Sequence, residues 1–127
     1  MKYLKFIVVE KDKPGQYDLN CGFVEWHNDL MPKKPLNWRG PWREPNCLGG
    51  GLFEYNEFND GRKEVWLYGE STDFGKVNKN ILQKAIDQNL NDFLWEAARA
   101  VERRYWVEHN EDKDFDLDDC KVIIKDW

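Results

Sequence analysis

Few side chains in this sequence can act as nucleophiles. Ser71 and Thr72 are the only hydroxyl residues of their kinds among 127, and His27 and His109 are the only imidazoles. A serine nucleophile would need Ser71 paired with one of those histidines as its base. Nothing in their spacing brings the groups together, so that chemistry is disfavoured. Cys21, Cys47 and Cys120 are far apart and form no Cys-x-x-Cys pair. With His27 and His109 they make five candidate zinc ligands, but the short paired spacing of a zinc site is missing. Three free thiols, no metal and no cofactor are therefore expected.

Acidic residues offer a second kind of chemistry. Asp112, Asp114, Asp116 and Asp118 alternate, as if to converge on a hard cation. A calcium loop of the EF-hand kind also needs glycine at its sixth position and a carboxylate at its twelfth. Counted from Asp112 those positions hold Leu117 and Ile123, and from Asp114 they hold Asp119 and Lys125, so both registers fail. The stretch from Glu108 to Asp119 carries seven acids against Lys113, and its charge of −6 exceeds the chain's net −5. A solvated acidic connector that presents charge to a basic partner is expected.

Two further clusters suggest binding. Trp38, Arg39, Trp42 and Arg43, preceded by Lys33 and Lys34, combine flat aromatic faces with cations. They suit anchoring to a protein surface, or base stacking if nucleic acid binds anywhere. The competing reading folds both indoles back as a lid over the core. Glu54 and Glu70, with Tyr55 and Trp66 as stacking surfaces, would serve an alternative nucleotide site in which a carboxylate orients a ribose. Cys47-Leu48-Gly49-Gly50-Gly51-Leu52 places its glycines before a strand, whereas phosphate-cradling loops follow one. Close backbone approach or a bulge at the strand entry is the better account.

These residues need a scaffold. A chain of this length can bury roughly two-thirds of its unfolded surface, and 41% hydrophobic with 34% charged residues is a globular balance. One α+β domain over 1–127 is expected, with a small, mostly antiparallel sheet of about four strands. Tyr3 to Glu10 is a continuous β-branched and aromatic run, read as a central strand buried on both faces. From Leu30 to Gly51, Pro32, Pro35, Pro41 and Pro45 interrupt regular pairing, so a long loop is expected. Residues 52–69 read as a hairpin turning at Asn59-Asp60-Gly61-Arg62.

Leu82, Ile86, Leu90, Phe93, Ala97, Val101 and Tyr105 recur at helical spacing, which predicts a helix over 79–108, capped by Asn78 or Asn80 and open to a break near Asn89 and Asn91. Trp95, Glu102 and Trp106 fall on a displaced stripe, at a rim or in a second packing layer. Cys120 to Lys125 would close the sheet beside the first strand. With no apolar leader, no membrane-length apolar run and no disulfide pattern, a cytoplasmic protein that does not enter a membrane is expected.

Gly22-Phe23, Trp26, Cys47 through Leu52 and Val65-Trp66-Leu67 resemble a group of small bacterial and phage proteins that carry Gly-Phe and then Cys-Gly-Gly-Gly-Leu-His; Phe53 stands here at the His position. The same strand pair is distantly similar to ADP-ribosyltransferase folds. The surplus of tryptophan, the long Trp/Arg/Pro loop, the acidic connector and the lack of a recognisable catalytic set point to a non-catalytic protein-binding domain, extending to a phage or mobile-element inhibitor of a host system. The partner would engage Trp38, Arg39, Trp42, Arg43 and the alternating aspartates, and nucleic acid could bind only through residues 33–43. The alternative is a nucleotide- or NAD-handling enzyme, or former enzyme, with Glu54 or Glu70 as a carboxylate and Tyr55 or Trp66 as a stacking surface.

Overall fold

A computed structural model describes residues 1–125. Five strands form one sheet in the order β2-β1-β3-β4-β5, packed on one face by a single long helix, α1. The α+β class and the mostly antiparallel sheet agree with the sequence reading. Strand β1 (Tyr3–Glu10) is central, between antiparallel β2 (Tyr17–Val24) and β3 (Asn46–Glu57). Its side chains divide by the two-residue period of a strand. Leu4, Phe6 and Val8 enter the core under the helix, while Ile7 and Val9 form a smaller cluster with Met31 on the opposite face.

Strand β2 is the one the sequence reading left out. Tyr17, Leu19, Cys21 and Phe23 alternate toward the helix-side core, a period-two pattern that pairs along all of β1. Strand β4 (Lys63–Tyr68) completes the expected hairpin, and Gly61 takes a positive φ of 87° in its turn. Strand β5 (Lys121–Ile124) pairs in parallel with β4, not beside β1 as expected. Both flanks of β1 are already occupied, so the last strand joins at a free edge, that of β4.

The expected loop over 30–51 divides. His27–Leu30 is a short 3₁₀ turn, 31–45 is irregular, and β3 already begins at Asn46, so the three glycines lie inside a strand. The register shifts by one residue between Val8 and Val9, placing the anticipated bulge beside those glycines.

Helix α1 (Lys79–His109) starts at Asn78, whose side chain accepts hydrogen bonds from the backbone of Asn80 and Ile81. The expected break falls at Asn89, with φ −128° and ψ 19°. Its Nδ2 donates to Tyr17 O at 2.8 Å and to Ala85 O at 2.9 Å, bridging helix and edge strand. Downstream, the buried stripe is Phe93, Leu94, Ala97, Ala98, Ala100 and Val101. Leu90, expected in the core, is 40% exposed next to the break.

Candidate functional site

The sheet face away from α1 is thinly covered, and one histidine lies on it. His27 is 5% exposed and opens the 3₁₀ turn directly after β2. Its Nε2 is 2.8 Å from Gly51 O. A carbonyl oxygen can only accept, so Nε2 carries the proton and Nδ1 holds the free lone pair. Among the described residues Nδ1 has no hydrogen-bond partner, and the one occluded unpartnered side-chain polar atom is Asn56 Nδ2. Nδ1 therefore keeps contact with solvent.

Gly50 lets the imidazole lie against β3, and its neighbours permit other close approaches. A Cβ on Gly50 would stand 2.4 Å from Phe6 O, 3.0 Å from His27 Cδ2 and 3.1 Å from Ile7 Cγ2. One on Gly51 would stand 2.4 Å from Tyr68 O and 2.9 Å from Phe6 Cε1. Close backbone approach is thus the role of the Gly-Gly-Gly run, as expected. Gly50 N–H also donates to Gly75 O at 3.0 Å, which ties the β4–α1 loop to the same strand. That loop holds Ser71, 2% exposed, whose Oγ accepts from Phe74 N–H at 3.1 Å.

Lys5 follows the same side of β1 as Ile7 and Val9, and its ammonium donates to Glu25 O, just ahead of the 3₁₀ turn. Burial pushes the His27 pKa below the ordinary imidazole value. The hydrogen bond to Gly51 O opposes that shift, the Lys5 charge deepens it, and Asp73 pulls weakly the other way. The result is a neutral imidazole beside a cation. Beyond Val9, toward the far end of β1, an open groove of about 1100 Å³ is lined by Met31, Arg43, Cys47 and Phe74 and by the charged side chains of Glu10, Lys11, Asp12 and Asp18; neither His27 nor Lys5 lines it.

The residues singled out from sequence are scattered by comparison. Trp38 and Trp42 are 48% and 37% exposed and pack edge to face, centroids 6.0 Å apart, with Trp38 Nε1 donating to Pro41 O. They support each other on the surface instead of forming a lid. Arg39 and Arg43 are exposed, and Arg43 reaches the groove. Asp112, Asp114, Asp116 and Asp118 are all exposed; Asp116 Oδ1 accepts from Asp118 N–H, and Leu117 anchors the connector in the core.

Glu54 and Trp66 are register partners on the His27 side of the sheet, whereas Tyr55 packs under the helix against Phe115. The sheet thus separates the two stacking residues. Glu70 is exposed beyond β4. Cys21 packs beside the helix-side core, Cys47 beside the smaller cluster on the other face, and Cys120 is buried. His109 stacks on Tyr105 at 4.1 Å near the helix end. Among the described residues no three His, Cys, Asp or Glu side chains gather as metal ligands.

His27 and Lys5 were missed as a pair because they are separated in sequence and joined only by strand pairing. The available signal was the glycine run, which marks a strand that something must approach closely.

Residues 1–94 match the Janus/Ocnus family (Ocnus). The chain belongs to the Janus/Ocnus family. It is also 35% identical over 54 residues to the sex-regulated protein janus-A of Drosophila pseudoobscura pseudoobscura, a stretch covering 42% of this chain and 34% of that protein. The chain thus spans about a third of the curated relative it matches. No solved structure matches it.

Membership in the Janus/Ocnus family corrects the resemblance to bacterial and phage proteins, and with it the inhibitor of a host system and the ADP-ribosyltransferase-like enzyme. The motifs quoted for that resemblance were short glycine and aromatic patterns, which the β3 geometry explains by backbone packing. The matched segment contains Lys5, His27, the glycine run, Ser71 and Asp73; the acidic connector lies outside it. Among the described residues no helix is long and apolar enough to cross a membrane.

Proposed function

We propose that this Janus/Ocnus chain cleaves or transfers a phosphoryl group, with His27 as the reactive base and Lys5 as the anion-binding cation. The observation that carries the reading is the hydrogen bond from His27 Nε2 to Gly51 O, which fixes the tautomer and presents Nδ1 as an unprotonated acceptor. Burial and Lys5 keep that nitrogen unprotonated near neutral pH. A neutral imidazole beside an ammonium suits a substrate that brings its own negative charge. The cation neutralises the phosphoryl oxygens, and the imidazole accepts a proton as water bonds to phosphorus. The bond from phosphorus to the leaving oxygen or nitrogen breaks, the departing group takes up the proton, and inorganic phosphate is released. Lys5, on the same side of β1 as Ile7 and Val9, binds the phosphoryl oxygens. The three free thiols favour a reducing, cytosolic setting.

The test is turnover of phosphate esters, acyl phosphates and phosphoramidates, followed as released inorganic phosphate. His27→Gln retains the bond to Gly51 O but cannot act as a base, and should reduce kcat by at least about a hundredfold. Lys5→Met should raise KM for the same substrate and leave folding intact. Turnover of none of the three classes by the wild type, or full activity in His27→Gln, overturns the proposal.

A further inference from the structure

The outward face of α1 is organised in a way the His27 site does not use. At 100° per residue, Asp92, Trp95, Arg103 and Trp106 all fall within about 40° of Arg99. The opposite side, from Phe93 to Val101, is buried on the sheet. Trp95 and Trp106 are 61% and 51% exposed, and they stand about 16 Å apart along the axis. Arg99 lies 5.2 Å over the Trp95 ring and is held there by two hydrogen bonds to Glu102, so this part of the stripe is ordered before any partner arrives. Asp92 and Arg103 are exposed and form no ion pair among the described residues.

We infer that this stripe is a self-association surface on which a second copy of the chain docks with its own α1 antiparallel. The charge order selects that occupant. The acid lies toward the N-terminal end of the stripe and the unpaired arginine toward the other, so a two-fold axis between residues 97 and 98 sets Asp92 of each copy opposite Arg103 of the other. A parallel pairing would stack arginine on arginine. Two-fold symmetry makes each contact twice, and each Trp95 lies beside the Arg99 of the second copy. One helix face is at the small end of specific interfaces, so the dimer is weak and salt-sensitive. The stripe is on the side of the sheet away from His27, so dimerisation leaves that site open and does not depend on what it does.

Sedimentation of the full chain from about 10 to about 500 μM at low salt, a range that spans weak association, reads this directly. A concentration-dependent monomer–dimer equilibrium is expected. Asp92→Arg and Arg103→Asp should each weaken it at least about tenfold, since symmetry applies each change twice. The double variant should restore association, and because the two positions are too far apart to pair within one copy, rescue reports contact between copies. A chain that stays monomeric throughout, single variants that dimerise like wild type, or a double variant that is not rescued, each overturns the inference. Trp95→Ala, at an exposed position, should weaken association without changing thermal stability.

Discussion

Replacing Gly50 by alanine tests whether the glycine run is there to let neighbouring groups approach β3 closely. The new methyl would meet Phe6 O at 2.4 Å, His27 Cδ2 at 3.0 Å and Ile7 Cγ2 at 3.1 Å. The first is a backbone atom of the central strand and cannot swing aside, so β1 and β3 must separate locally. Overpacking commonly costs 1–3 kcal/mol, and with a backbone clash the expected loss is about 3 kcal/mol, or roughly 10–15 °C in Tm for a chain of this size. Gly22→Ala is the control. Its methyl also meets a neighbour at 3.0 Å, but that neighbour is Leu30 Cδ2, the end of a flexible side chain, so the loss should stay below about 1 kcal/mol. Urea unfolding of both variants, with unchanged m-values, measures the difference. If Gly50→Ala unfolds at the wild-type midpoint, or Gly22→Ala costs as much, the close-approach account of the glycine run is wrong.

His27 should also leave a mark on the pH dependence of stability. Its folded pKa is lowered, chiefly by burial, so as pH falls through the unfolded imidazole value near 6.5 the unfolded chain gains a proton the folded one resists. Stability should drop there and level off below the folded pKa, and the difference between wild type and His27→Gln in urea midpoints from pH 8 to pH 5 isolates it; a constant difference refutes the buried neutral imidazole. Asn78→Ala removes the acceptor of the Asn80 and Ile81 amides and should cost about 1 kcal/mol by chemical denaturation. A loss below a few tenths would mean water caps that helix end as well.

Much of the scaffold was legible in local pattern. The β-branched run of β1, the Asp-Gly turn at 60–61, the Asn78 cap and the spacing from Leu82 to Val101 each express a preference that neighbouring residues settle among themselves, and the tertiary structure kept them. The break at Asn89 was foreseeable from poor helix propensity, but its use as a bridge to Tyr17 O was not, because that partner lies 72 residues away. Strand β2 had a readable period of two, obscured by Asn20 and Gly22.

The site depended on the third dimension. Lys5, His27, Gly51 and Asp73 are far apart in the chain, and only the pairing of β1 with β2 and β3, with the tie from Gly75 O to Gly50, brings them to one face. The edge position of β5 was likewise invisible in its own four residues, because which partner a strand finds depends on which edges the other strands leave open. Sequence thus determined what each segment would form, through propensity and periodicity. Tertiary structure alone decided which histidine is buried and which nitrogen carries its proton, because those follow from backbone atoms supplied by distant strands.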